Sequence, residues 1–117
     1  MHVTIKRVYD DPSPDDGSRV LVDRLWPRGV SKDEAHIDVW AKDIAPSTDL
    51  RRWFDHDPER FEDFARRYRE ELRENKGSVE GLLKQIDLRR RLTLVYAAKD
   101  PACNHAVVLK RYIEGLS

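Results

Sequence analysis

The sequence predicts an α/β fold: one compact domain spanning residues 1–117, with a small, mainly parallel sheet and flanking helices in a Rossmann-like three-layer arrangement. Three observations predict it. The run Leu92 to Ala98, LTLVYAA, is almost unbroken in apolar residues, as expected of a central strand covered on both faces. Val20-Leu21-Val22 is a shorter run of the same character. Between and after these runs lie segments with helical periodicity and capping residues, giving the order strand, strand, helices, strand, helix.

Val3 to Tyr9 places Val3, Ile5 and Val8 among polar residues and reads as the first strand. DDPSPDDGS, residues 10–18, carries two prolines, a glycine and four aspartates and reads as a turn or exposed loop. Arg19 to Leu25 is the second strand, ended by Pro27, which has no N–H to give a neighbour. Ser31-Lys32-Asp33-Glu34 is a capping box that starts a short helix. His36 to Ile44 fits a helix face through Ile37, Trp40, Ala41 and Ile44, and a strand through Ile37, Val39 and Ala41. Ser47 or Thr48 caps a helical turn carrying Leu50, Trp53 and Phe54.

Asp57-Pro58 is a clear helix start, with Asp57 as cap and Pro58 in the first helical position. Phe61, Phe64, Ala65, Tyr68 and Leu72 then recur at three and four. The opposite face offers Glu62 to Arg66, Asp63 to Arg67, Arg66 to Glu70 and Arg67 to Glu71 as i,i+4 pairs. Gly77 is expected to end this helix and Ser78 to cap the next, which carries Leu82, Leu83 and Ile86. Asn104 caps a last helix with Val108, Leu109, Tyr112 and Ile113 on its apolar face and Gly115 as its stop.

Lys plus Arg equals Asp plus Glu at 22 each, so there is no global attraction to nucleic acid or to an anionic membrane, and any basic site must be local. Arg89-Arg90-Arg91 lacks interleaved aromatics and is weak support for nucleic acid. The single cysteine, Cys103, cannot form an internal disulfide, and no zinc ligand spacing occurs. No cofactor or metal is expected. The first ten residues have no apolar signal core, and no apolar run reaches membrane-spanning length, so a reduced, cytoplasmic setting is the expectation.

Two segments share a layout of strand, short polar loop and capped helix start. One runs through Asp23 to Gly29 toward Ser31, the other through Lys99 to Cys103 toward Asn104. Ligands of parallel α/β sheets collect at the carboxyl ends of strands, and free N–H groups at helix starts favour anions. If the two strands are neighbours, Arg24, Arg28 and Lys99 converge with Asp23, Asp100 and His105. Arginine offers a planar fork to two oxygens, Asn104 stands at the helix start, and His105 has the side chain able to move protons near neutral pH. Asp23 then orients an arginine or accepts a proton. The same residues also have plain readings. Asp23 and Arg24 are a solvated pair or a loop clamp, Pro27 and Gly29 are turn chemistry, His105 is a half-buried surface histidine, and Trp26, Trp40 and Trp53 are core or rim.

DRLWPRG at residues 23–29, IAPSTDLRRWF at 44–54 followed by His56-Asp57-Pro58, and LVYAAKDPACNHAVVL at 94–109 together resemble the YeaO-like family, also called domain of unknown function 488. The resemblance covers nearly the whole chain. It implies a small prokaryotic cytoplasmic α/β protein and supplies no reaction. Some members carry a MarR-type regulator label, but this chain shows no winged-helix order and no basic recognition helix. Longer relatives have a Cys-His-Arg triplet after the last strand, which falls by position on Asn104-His105-Ala106. Only the histidine is retained, which leaves Asp23, Arg24, Arg28 and His105 as the positions matching family motifs.

Two functions stay open from sequence. One is an enzyme or binder for a small anionic, phosphate- or nucleotide-like ligand, with Arg24, Arg28, Lys99 and Asn104 as ligand contacts and Asp23 and His105 as catalytic groups. The other is a non-catalytic regulatory or interaction module, with nucleic acid as a weaker partner.

Overall fold

A four-stranded sheet of entirely parallel pairs organises the chain. The computed structural model describes residues 2–116. Strands β1 (Val3–Arg7), β2 (Ser18–Leu21), β3 (Val39–Trp40) and β4 (Leu92–Tyr96) lie in the order β1-β4-β2-β3. The last strand in sequence is therefore central. Leu94 faces Ile5 on one side and Val20 on the other, and all five β4 residues are buried. This is the fold class read from the sequence.

Alternation along the strands separates two faces. Val3, Val20, Val22, Leu92, Leu94 and Tyr96 belong to the main core. Helices α2 (Thr48–Phe54), α3 (Phe61–Glu74), α4 (Lys76–Gln85) and α5 (His105–Glu114) contribute to that core. Phe54 stacks on Phe64 with centroids 4.2 Å apart, and Tyr68 lies beyond it, fully buried. Each such side chain contributes about 1.5–3 kcal/mol by leaving water. The second face carries a smaller cluster of Val8, Leu21, Ala35 and Val95 under helix α1 (Lys32–Ala35) and the loop before it. This third layer is thin.

Beside that cluster the second face is polar. Asp16, 7% exposed, accepts from Arg19 Nη1 at 2.6 Å and from Lys6 Nζ at 3.2 Å. Arg19 also donates to the Ala35 and His36 carbonyls at the end of α1. Burial pushes the Asp16 carboxyl up, but the Ser13 N–H and the two cations outweigh it, so it lies below the ordinary carboxylate value. The DDPSPDDGS loop is thus only partly the exposed turn expected from sequence. Ser13 and Asp16 form a capping box around a 3₁₀ turn, and Gly17, at φ +67°, passes against the Arg91 backbone, where any Cβ would collide with its carbonyl.

Other boundaries also move. Asn75, not Gly77, separates α3 from α4; its N–H closes on the Glu71 carbonyl, and Gly77 and Ser78 lie in the first turn of α4. The segment His36 to Ile44 resolves as strand β3 followed by a 3₁₀ turn, because Asp38 ties it to β2 through both its N–H and its carboxylate on Arg19. The four expected i,i+4 pairs on α3 give way to other contacts. Arg66 meets Asp63, Arg67 lies over the Trp53 ring at 4.2 Å, and Glu71 takes the Ser47 N–H and hydroxyl.

Candidate functional site

The chain leaves β2 and β4 in opposite directions. After β2 it passes to α1 on the thin face; after β4 it passes to α5 on the main-core face. Diverging connections from neighbouring parallel strands open a crevice at their carboxyl ends. The strand adjacency on which the two-loop reading depends is therefore present.

Strand β2 stops at Leu21, short of the expected Leu25, because a side chain takes over its pairing. The Val22 N–H still reaches the Val95 carbonyl at 3.0 Å. Beyond it, Asp23 Oδ2 accepts the Ala97 N–H at 3.1 Å, in place of a further backbone bond. The other oxygen, Oδ1, lies 2.8 Å from His105 Nε2. One half-buried carboxylate thus joins the loop after β2, the loop after β4 and the first residue of α5. With Asp23 accepting from Nε2–H, a neutral His105 presents Nδ1 as an acceptor. The imidazole sits edge-on to Tyr96, whose hydroxyl is pushed up by burial.

The loop 23–30 is braced from within. Trp40 Nε1 donates to the Asp23 carbonyl at 2.8 Å, and Trp26 Nε1 to the Val30 carbonyl at 2.6 Å. The two indoles meet edge to face at 5.4 Å. Pro27 is buried and Gly29 turns at φ +74°. Both serve the turn, in line with their plain reading.

Of the six residues expected to form the site, the structure joins Asp23 and His105 directly. Asn104 is 1% exposed, with both ends of its amide engaged: Oδ1 accepts the Val107 N–H and Nδ2 donates to the Asp100 carbonyl. Arg28 and Lys99 are exposed, and neither makes an ion pair among the described residues. Arg24 is not brought to the cleft. Its Nε and Nη2 donate to the Pro46 and Ala45 carbonyls at 3.2 and 3.1 Å, so it clamps the chain entering α2. Asp100 is spent on its own loop, accepting the Cys103 and Ala102 N–H groups, which hold its carboxyl below the ordinary range.

Sequence reasoning missed two residues of the same rim. Arg7 Nε donates to the Ala98 carbonyl at 3.0 Å, and its guanidinium lies 5.0 Å from the Tyr9 ring centre. The Tyr9 hydroxyl reaches the Arg28 carbonyl at 3.3 Å. Both residues lie at the carboxyl end of β1, and the strand-end rule applied to two strands extends to this third. A groove of about 320 Å³ lies between Arg24, Ile44, Tyr68 and Glu71, with Asp43 and Glu74 on its rim. Its acidic lining is unsuited to anions, and neither Asp23 nor His105 lines it.

Among the described residues, no His, Cys, Asp and Glu cluster could hold a metal, and no helix is long and apolar enough to cross a membrane.

The fold and the bridged strand ends define a parallel α/β domain with polar side chains gathered at the carboxyl ends of two neighbouring strands. A family model described as the inactive DUF488-N3 subclade matches residues 2–116, and the chain belongs to that family. It is 47% identical over 113 residues to the uncharacterized protein Rv3073c of Mycobacterium tuberculosis, covering 97% of this chain and 94% of that one. It is 40% identical over 116 residues to the uncharacterized protein YeaO of Escherichia coli, covering 99% and 100%. No solved structure matches.

Proposed function

We propose that this chain binds a small anionic, phosphate- or nucleotide-like ligand over the carboxyl ends of β2 and β4 and does not transform it. The observation that carries the reading is the Asp23 bridge to Ala97 N–H and His105 Nε2. It fixes the imidazole beside the ends of β2 and β4 and leaves Nδ1, an acceptor in the neutral ring, free for a ligand hydroxyl, so the anionic group itself falls to the neighbouring cations. Lys99 and Arg28 extend from the two loops with charges that no described residue pairs, and the start of α5 adds N–H groups favourable to an anion.

The non-catalytic half of the reading rests on Asn104. Where longer relatives have the cysteine of their triplet, this side chain is buried and committed to capping α5. An amide is no nucleophile. The description of the matching family model as an inactive subclade agrees with this.

The test is thermal unfolding with a panel of phosphorylated and carboxylated small molecules, followed by ³¹P NMR of any phosphorylated binder. A saturable rise in Tm that is lost in Arg28→Ala/Lys99→Ala, with the ligand recovered unchanged, is expected. No response across the panel rejects the binding reading; turnover of the ligand rejects the non-catalytic one.

A further inference from the structure

Resting on that reading, we infer that the ligand is a mononucleotide whose base stacks on Tyr9. Tyr9 is 50% exposed, a large aromatic surface in a chain whose Tyr68 and Tyr96 are both buried. Its ring is held on one face and at its hydroxyl tip, which leaves the other face for a ligand. Arg7 backs it at 5.0 Å, and its hydroxyl donates to the Arg28 carbonyl at 3.3 Å. The contacts run without a break from this ring to the imidazole: Tyr9 to Arg7, Arg7 to the Ala97 and Ala98 carbonyls, Ala97 N–H to Asp23, and Asp23 to His105.

The rim therefore offers an aromatic surface at the end of β1, tied through Arg7 to the Ala97 and Ala98 carbonyls at the end of β4, and two exposed cations in its loops: Arg28, whose carbonyl meets the Tyr9 hydroxyl, and Lys99, which follows Ala98. A planar base with a phosphate attached matches that sequence of surfaces. Base-to-aromatic stacking tolerates any base, since every base has a π-face. A guanidinium behind the ring adds to the preference for an electron-rich ligand face while fixing the ring's position. A polymer is less suited than a single nucleotide, because the 22 acidic residues offset the 22 basic ones and leave no net attraction to a run of phosphates.

Calorimetric titration of the full chain with ribose 5-phosphate and with AMP separates the base from the phosphate. AMP is expected to bind at least about tenfold tighter than ribose 5-phosphate, a ratio within the range of a single stacked base. Tyr9→Ala should bring AMP down to the ribose 5-phosphate value and leave ribose 5-phosphate unchanged. Tyr9→Phe, which keeps the ring, should retain the AMP advantage. Equal binding of the two ligands by the unmodified chain, or an equal loss of both in Tyr9→Ala, overturns this inference and leaves the anion reading standing. Binding of neither overturns this inference, and the wider panel of anions then decides the anion reading.

Discussion

Asp23 and His105, 82 residues apart in sequence, meet at 2.8 Å across the two loops that leave the middle strands. The carboxylate holds the imidazole with one oxygen and the end of β4 with the other. Removing either partner should therefore be felt in stability as well as in binding. A double-mutant cycle on Asp23→Asn and His105→Gln, followed by urea unfolding, should give a coupling energy of about 0.5–3 kcal/mol. Strictly additive effects would show that the pair does not link the loops.

Arg24 and Arg28 share one loop and should behave differently. Arg24→Ala releases the Ala45 and Pro46 carbonyls and should cost about 1–3 kcal/mol. Arg28→Ala removes an exposed side chain and should stay within about 0.5 kcal/mol. Tm measurements on the two variants decide the matter. Equal effects would contradict the separation of clamp from cleft.

Asp16→Ala should cost about 3–5 kcal/mol at neutral pH, because it leaves Arg19 buried without its partner. The pH dependence has a definite sign. The folded carboxyl lies below its ordinary value of 3.8, so the folded state favours the ionised form. That stability is present above the unfolded value and is lost as pH falls through the folded one. Denaturation curves of the two proteins should converge as pH drops below about 4.

Gly17→Ala sets a Cβ against the Arg91 carbonyl in a left-handed backbone. A loss of at least about 1–3 kcal/mol is expected from the backbone strain alone. Tyr68→Phe should also destabilise, by about 1–3 kcal/mol, since it strands the Ile44 carbonyl that the buried hydroxyl satisfies at 2.6 Å. Both are read by chemical denaturation.

Where a segment's structure depends on its own residues, the sequence announces it. Asn104 and Ser47 cap α5 and α2 as their chemistry requires, Asp57 caps the 3₁₀ turn that leads into α3, and the apolar run around Leu94 is the buried central strand. Expectation and structure part where distant groups decide. Asp16 looks like a loop aspartate until Arg19 and Lys6 close over it, although the Ser13-to-Asp16 capping spacing is visible in the sequence. Arg24 has the chemistry of a ligand contact and is claimed instead by two carbonyls some twenty residues on. Tyr9 and Arg7 escape notice because nothing local says that β1, too, is parallel to β4.

The central place of β4 also governs how the chain reaches this structure. Thr4 and Thr93, 89 positions apart, must find each other before β1 and β2 have any shared neighbour. Contacts of such long range make for slow folding. During synthesis, everything up to Leu88 emerges while the sheet still has an open slot between its first two strands. Until β4 emerges, β1 has no strand partner, and the edge of β2 that β4 covers is unpaired, the kind of open edge that invites pairing with other chains. The residues that close that slot also set Tyr96, Ala97 and His105 in place, so the Asp23 bridge cannot be complete before the sheet is.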